Sequence, residues 1–131
     1  MSLYITTADK EKLMKMIDKE KEKSVKTSAY ANNLEKEIRK AAITDPGQLP
    51  VDVITMNTKV VLIMDDSEEE VTLVYPEEAD FKLNKISVLS PIGTAILGYR
   101  EGDIILWHIP NGSVRIIIKK VLYQPEASGK E

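Results

Sequence analysis

The sequence predicts an α+β protein in which two helices come first and a β-sheet follows. Over the first third of the chain, apolar residues recur at helical spacing. Past Pro50 the β-branched residues take over. The run Ile86–Asp103 then contains, in order, the end of a strand, a helix start, a helix stop and a turn. We therefore expect residues 1–48 to form a short antiparallel helical hairpin and residues 49–131 to form a β-domain.

The first helix is predicted to run from Asp9 to Lys23. Thr6 or Thr7 supplies a hydroxyl that can cap it, and acidic residues in its first turn face the positive end of the helix dipole. Its apolar residues form one narrow stripe, in which Leu13 and Ile17 lie one turn apart.

The second helix follows a predicted connecting loop at residues 25–28. Its apolar positions recur at helical spacing, and they are Tyr30, Leu34, Ile38 and either Ala41 or Ala42. The Asp45-Pro46-Gly47 sequence is expected to end the element. Two amphipathic helices joined by a short loop predict an antiparallel coiled-coil hairpin.

Residues 49–131 are predicted to form an antiparallel sheet with one short helix. Six strands are expected, and they are Val53–Thr55, Thr58–Met64, Glu70–Tyr75, Lys85–Leu89, Asp103–Ile109 and Ser113–Tyr123. Asn111-Gly112 predicts a hairpin turn between the last two strands. Ser90 before Pro91 predicts a helix start, and Gly98 predicts its end. Continuous apolar runs in the strands indicate that parts of the sheet are covered on both faces.

Composition narrows the classes of function. The net charge of -3 argues against a protein that clamps a phosphate backbone, so we expect contact with nucleic acid to be indirect at most. The chain has no cysteine and one histidine, which excludes disulfides and thiolate sites. No apolar run is long enough to cross a bilayer, and the amino terminus lacks the order of a signal peptide. A soluble cytoplasmic protein without a membrane partner is expected.

Two features contain residue types that bind metals or act in catalysis, but both are interpreted as structural. Eight acidic residues and no basic one lie between Asp65 and Asp80, but the glycine and ligand spacing of a calcium loop is missing, which predicts a solvated hairpin tip. His108 follows Trp107 in a strand and has no nucleophile motif to serve, so it is interpreted as a structural or exposed residue. No catalytic residue, metal or cofactor is predicted.

The run ISVLSPIGTAILGYREGD at Ile86–Asp103 resembles the signature of the C-terminal domain of the Gre factors (GreA/GreB), which dock on bacterial RNA polymerase. Further blocks match in the same order along most of the chain, and they are Tyr30-Ala31, Val53–Val60, Thr72–Pro76 and Tyr123–Ala127. Together they are most similar to the short-armed Rnk group of that family, the regulators of nucleoside diphosphate kinase.

The resemblance implies an FKBP-like β-domain and a monomer that binds RNA polymerase near its secondary channel, in competition with longer-armed Gre factors. Residues Leu89, Ser90, Pro91 and Ile92 match the turn by which Gre factors touch the polymerase. Leu89 stands where the cleavage factors usually carry Asp or Asn. It is therefore either an apolar anchor held outward or a core residue beneath the turn.

In the transcript-cleavage Gre factors, a long arm carries acidic residues that help to hold a catalytic metal ion. The first helix here, taken as Asp9 to Lys23, is only about 22 Å long at 1.5 Å per residue. Lysines outnumber acidic residues at its tip, where Glu20 and Glu22 are the weak candidates. The expected protein is a regulator without cleavage activity. The alternatives are a cleavage-competent Gre factor and, from the implied fold, a prolyl isomerase or chaperone, which the scarcity of aromatic residues disfavours.

Overall fold

A computed structural model of the chain describes residues 4–23, 25–44, 52–109 and 112–124. The helices and strands in these ranges are β1 (Tyr4–Thr6), α1 (Thr7–Lys23), α2 (Val25–Lys40), β2 (Ala42–Thr44), β3 (Lys59–Met64), β4 (Ser67–Val74), β5 (Lys85–Ser87), α3 (Pro91–Ile96), β6 (Ile104–Ile109) and β7 (Gly112–Tyr123). Two single turns of 3-10 helix, Pro76–Glu78 and Phe81–Leu83, lie between β4 and β5. The expected α+β class is confirmed.

The first helix of the hairpin is capped as predicted, but the loop between the two helices differs from the prediction. Thr6 Oγ1 accepts a hydrogen bond of 3.2 Å from the Asp9 N–H and so caps α1. The backbone of α2 is already helical at Val25, so the loop predicted at residues 25–28 is wrong. Threonine and serine lie only about 0.5 kcal/mol below alanine in helix propensity, which is too little to end a helix. The side chain of Tyr30 lies outside the described parts of the chain.

The buried stripe of the hairpin matches the prediction. Leu13, Ile17, Leu34 and Ile38 are at most 1% exposed. On the solvent side, Glu35 lies between two cations. The Lys21 ammonium hydrogen bonds to it, and Arg39 Nη2 donates to its Oε2 at 2.7 Å. Hydrogen bonds from Lys21, which has the larger effect, and from Arg39 hold the pKa of the Glu35 carboxyl below its usual range.

A small parallel sheet closes the root of the hairpin. β1 pairs with β2 in parallel, with Tyr4 opposite Ala42. Helix α2 therefore ends at Lys40, so the predictions that it includes Ala41 or Ala42 and continues to Asp45 are wrong. The reason is a tertiary one, because the partner strand lies almost forty residues earlier in the chain. Residues 45–47 themselves lie outside the described parts of the chain. The Tyr4 N–H also donates to the Gly98 carbonyl at 3.3 Å, which ties the hairpin to the end of α3.

The main sheet has five strands in the order β5-β4-β3-β7-β6. All neighbours are antiparallel except β4 and β5. Met64 pairs with Ser67, so Asp65 and Asp66 form the intervening turn with φ angles of 47° and 70°. The acidic run therefore begins at a hairpin tip, as predicted. The strand predicted at Val53–Thr55 is wrong, since Val53 makes only an isolated bridge.

One face of the sheet packs on the core and the other remains partly open. Leu62, Ile116 and Ile118 are fully buried and belong to the same apolar cluster as the hairpin stripe. On the opposite face, Ile104 and Leu106 are 50% and 59% exposed. The expectation that the apolar runs are covered on both faces is therefore wrong for this strand. A continuous apolar run cannot by itself distinguish a covered strand from an edge strand.

Candidate protein-docking site

A tightly hydrogen-bonded turn connects β5 to α3, and we call residues 87–92 the docking turn. The Ser87 carbonyl accepts from the Ser90 N–H at 3.0 Å and from the Ser90 hydroxyl at 2.7 Å. Ser90 Oγ in turn accepts from the Gly93 N–H at 3.0 Å, which is the helix cap that the sequence predicts. The Leu89 N–H donates to the Ser87 hydroxyl at 3.0 Å. These four hydrogen bonds hold the turn in one conformation.

The base of the docking turn is fixed from both sides. The Val88 N–H donates to the Val74 carbonyl at 2.9 Å, which anchors the turn to β4. The Thr94 hydroxyl donates to the Val88 carbonyl at 2.8 Å, which anchors it to α3. Gly93 lies directly against the turn, and a Cβ there would be far inside 3.0 Å of the Ser87 carbonyl oxygen. Only glycine fits this position without moving the turn.

The predicted contact residues differ in exposure. Pro91 is exposed, whereas Ser90 and Ile92 are half-buried. Leu89 is also half-buried, and it packs against the edge of the apolar core. Its position is therefore intermediate between the two sequence-based expectations of an outward anchor and a core residue.

An open depression of about 620 Å³ lies beside the docking turn. Its apolar lining comes from β3, β4, β5, the segment between the two 3-10 turns, the second of these turns and the start of α3, and consists of Met64, Val71, Ala79, Phe81, Ile86, Pro91 and Ile92. Ser90 also lines it, whereas Leu89 does not. An open apolar depression next to a rigid turn is suited to receiving a side chain of a protein partner.

Sequence reasoning did not identify Phe81, which stands at this depression and is 95% exposed. It lies on the single 3-10 turn Phe81–Leu83. Asp80 caps this turn by accepting from the Lys82 N–H at 3.0 Å, and Asn84 ends it with a φ of 54°. Phe81 is the one phenylalanine of the chain and lies in a polar segment. A lone phenylalanine within a polar segment is the sequence signal that indicates an exposed aromatic side chain here.

Glu20 and Glu22, the two candidate acidic residues of the arm tip, lie in different surroundings. Glu20 is 8% exposed and lines a cleft of about 580 Å³ between α1 and the segment that follows β4. Lys12, Lys15 and Lys19 of the same helix line this cleft, and so do Glu77 and Glu78. Glu22 is exposed. The structure therefore does not bring Glu20 and Glu22 together on a solvent-exposed tip.

No group of three or more His, Asp and Glu residues in the described ranges could hold a metal ion. No helix within these ranges is long and apolar enough to cross a membrane. The side chain of His108 and the residue Asn111 lie outside the part of the chain that the structure describes.

Comparison with known proteins identifies the family. The family model described as "Transcription elongation factor, GreA/GreB, C-term" matches residues 49–123. The Escherichia coli (strain K12) protein named "Regulator of nucleoside diphosphate kinase" is 39% identical over 102 residues, which cover 76% of this chain and 75% of that protein. A "Transcription elongation factor GreA" from Chlorobium phaeovibrioides is 37% identical over 107 residues, or 79% of this chain and 67% of that protein.

A solved structure shows the same fold. It is described as "Prokaryotic transcription elongation factor GreA/GreB from Nitrosomonas europaea". It is 35% identical to this chain, with a TM-score of 0.74, and the match covers 93% of this chain and all of that one. The mixed α+β fold with its mostly antiparallel sheet is therefore GreA/GreB-like, and the chain belongs to the GreA/GreB family of transcription elongation factors.

Proposed function

We propose that this chain is a cytoplasmic, monomeric transcription regulator that binds bacterial RNA polymerase near its secondary channel. It competes there with longer-armed Gre factors and does not stimulate transcript cleavage. The observation that carries the proposal is the docking turn, which presents Ser90 and Pro91 on the rim of an open apolar depression. Any effect on nucleoside diphosphate kinase is indirect, through transcription, as the similarity to regulators of that name suggests.

The docking surface combines a rigid polar element with an apolar one. The hydrogen bonds around Ser87 and Ser90 hold the turn, so little conformational entropy is lost when it is bound. Phe81 and Pro91 supply exposed apolar area on the two sides of the depression. A buried aromatic anchor surrounded by weaker contacts is the usual arrangement of a strong protein interface.

Arm length and the position of Glu20 support the absence of cleavage activity. Helix α1 has 17 residues and is therefore about 26 Å long at 1.5 Å per residue. Glu20 faces the cleft between α1 and the β-domain, which leaves Glu22 as the one exposed member of the pair. Glu22 and Asp18, which is exposed one turn earlier on α1, supply only two carboxylates, fewer oxygen ligands than a divalent cation usually takes.

The polymerase contact is tested by alanine variants at the docking surface. Phe81→Ala and Pro91→Ala should weaken binding of purified RNA polymerase by roughly 1 to 3 kcal/mol while leaving the melting temperature nearly unchanged. Leu122→Ala is the matched control, because Leu122 is 43% exposed and lies on β7 away from the depression. Full polymerase binding by both docking variants would refute the proposed surface.

Leu89→Ala separates the two roles of the half-buried leucine. An anchor predicts a loss of roughly 1 to 3 kcal/mol in polymerase binding at constant melting temperature. A core residue predicts a loss of roughly 2 to 5 kcal/mol in stability, with binding affected only through unfolding. Measurement of both quantities on this one variant decides between the roles, and no change in either removes Leu89 from the site.

Two activity assays separate the proposal from its alternatives. The pure protein should leave the RNA of a backtracked elongation complex at its original length, whereas RNA shortening would show a cleavage-competent factor. It should also fail to accelerate isomerisation of a proline peptide. The depression has one aromatic residue in its lining, Phe81, and an isomerase pocket needs several aromatic walls.

A further inference from the structure

A second surface lies at the other end of the sheet from the docking turn. It is a cleft of about 410 Å³ between helix α2 and strand β6, which we call the edge cleft. Lys36, Glu37 and Lys40 form its helical wall, and Ile105, Leu106 and Trp107 form its strand wall. β6 is the last strand of the order β5-β4-β3-β7-β6, so one of its edges faces away from the sheet.

The outer edge of β6 carries backbone groups without partners in the described structure. The Ile118 N–H donates to the Asp103 carbonyl at 2.9 Å, and hydrogen-bonded pairs alternate along an antiparallel ladder. Ile105 and Trp107 therefore bond to β7, whereas the N–H and C=O of Ile104 and Leu106 point outward. No backbone hydrogen bond within the described residues engages these outward groups. Such an edge is a template for another strand.

The size of the edge cleft matches one extended segment. The lining residues of α2 run from Asn33 to Lys40, a rise of about 10.5 Å at 1.5 Å per residue. Three residues of an extended strand span about 10 Å. Ala95 and Tyr99 also line the cleft, so one inward side chain of the segment meets an apolar surface. Its neighbours would lie beside the exposed Ile104 and Leu106.

The charges on the helical wall favour an acidic segment. Lys40 pairs with Glu37 at 3.7 Å, which leaves these two residues with no net charge. Lys36 is exposed and makes no ion pair with any residue in the described ranges. The wall therefore carries one uncompensated positive charge opposite the free strand edge.

We propose that the edge cleft binds an extended peptide segment of another protein, which adds a sixth strand to the sheet beside β6. The segment alternates apolar side chains with acidic ones, and one of its carboxylates faces Lys36. Backbone hydrogen bonds to Ile104 and Leu106 supply affinity, and the wall of α2 supplies selectivity. This surface is separate from the docking turn, so it does not depend on the polymerase contact.

The test uses a capped heptapeptide of alternating valine and glutamate, titrated into the isotope-labelled full chain and followed by NMR. The amides of Ile104 and Leu106 should shift and exchange more slowly with solvent as peptide is added. Lys36→Glu should weaken binding of this peptide by about two- to fivefold, as expected for loss of a surface charge pair. Lys120→Glu is the matched control, because Lys120 is exposed on β7 outside the cleft, and it should bind like the unaltered chain.

Two N-methylated versions of the heptapeptide test the strand addition itself. Each carries methyl groups on one set of alternate amides, so one version must lose its hydrogen bonds to the edge of β6 and fail to bind. Equal binding of all three peptides would overturn the proposal, and so would the absence of shifts at Ile104 and Leu106 at millimolar peptide. Concentration-dependent broadening of β6 signals without peptide would assign the edge to a second copy of the chain, which also refutes the proposal.

Discussion

Gly93→Ala should disrupt the docking turn from inside. A Cβ at this position would lie far closer than 3.0 Å to the Ser87 carbonyl oxygen, whereas an ordinary contact between carbon and oxygen is about 3.3 Å or more. The new methyl would also approach Ser90 Oγ at 3.0 Å. Both atoms belong to the hydrogen bonds that hold the turn, so the methyl cannot be accommodated unless those bonds change.

The expected change in the free energy of unfolding is the sum of one stabilising effect and two destabilising ones. Alanine is favoured over glycine in a helix by about 1 kcal/mol. Overpacking costs about 1 to 3 kcal/mol, and each weakened hydrogen bond at Ser87 and Ser90 costs about 0.5 to 1.5 kcal/mol more. With two hydrogen bonds weakened, the clash exceeds the gain in propensity and gives a net loss of about 1 to 5 kcal/mol. For a chain of this size that corresponds to a fall in Tm of roughly 3 to 20 °C.

Urea denaturation and polymerase binding should be measured on the same preparation of Gly93→Ala. The matched control is Gly102→Ala, because a Cβ at Gly102 meets no atom within 4 Å, although its φ of +91° carries its own strain. The control should lose only about 1 to 2 kcal/mol of stability and keep its polymerase binding. A Gly93→Ala protein as stable as the unaltered chain, with polymerase binding intact, would refute the reasoning.

Two further predictions concern the hairpin. Because Lys21 and Arg39 lower the folded-state pKa of Glu35 below its ordinary 4.5, the ionised carboxylate stabilises the fold above that pH, and the contribution disappears as the pH falls through the folded-state value. Glu35→Gln should therefore lower the melting temperature at pH 7 and lower it progressively less as the pH falls below 4.5, whereas a loss independent of pH would argue against this linkage. In hydrogen exchange, amides of Ile116 and Ile118 should be protected longer than those of α1, since the hairpin buries less apolar area than the sheet; the reverse order would contradict this.

Local signals in the sequence predicted several elements of the fold correctly. Thr6 caps α1, and Ser90 with Pro91 starts α3, because each signal acts on backbone groups within three residues of itself. The antiparallel pairing of β6 and β7 likewise follows from the short connection between them. The acidic turn at Asp65-Asp66 is likewise an element that its own neighbouring residues predict.

The features that the sequence did not reveal depend on contacts between distant parts of the chain. The pairing of Tyr4 with Ala42 ends α2 early, and no signal near Ala42 indicates it. The 3-10 turn that exposes Phe81 is held against β4, because the Thr72 N–H donates to the Asn84 carbonyl at 2.9 Å. Burial of Glu20 requires the β-domain to lie against α1. Each of these depends on tertiary packing, whose free energy exceeds the small intrinsic preferences of single residues.

The sequence by itself determined the α+β class, the capped turn before α3 and the short first helix of this protein, since local capping, turn formation and helix length are encoded within a few residues. Only the tertiary structure decided which surfaces remain open. The apolar run of β6 is compatible with a covered strand or an exposed edge, and its place at the end of the sheet leaves Ile104 and Leu106 accessible. The same is true of the depression beside Pro91, which exists only because several separate elements meet there.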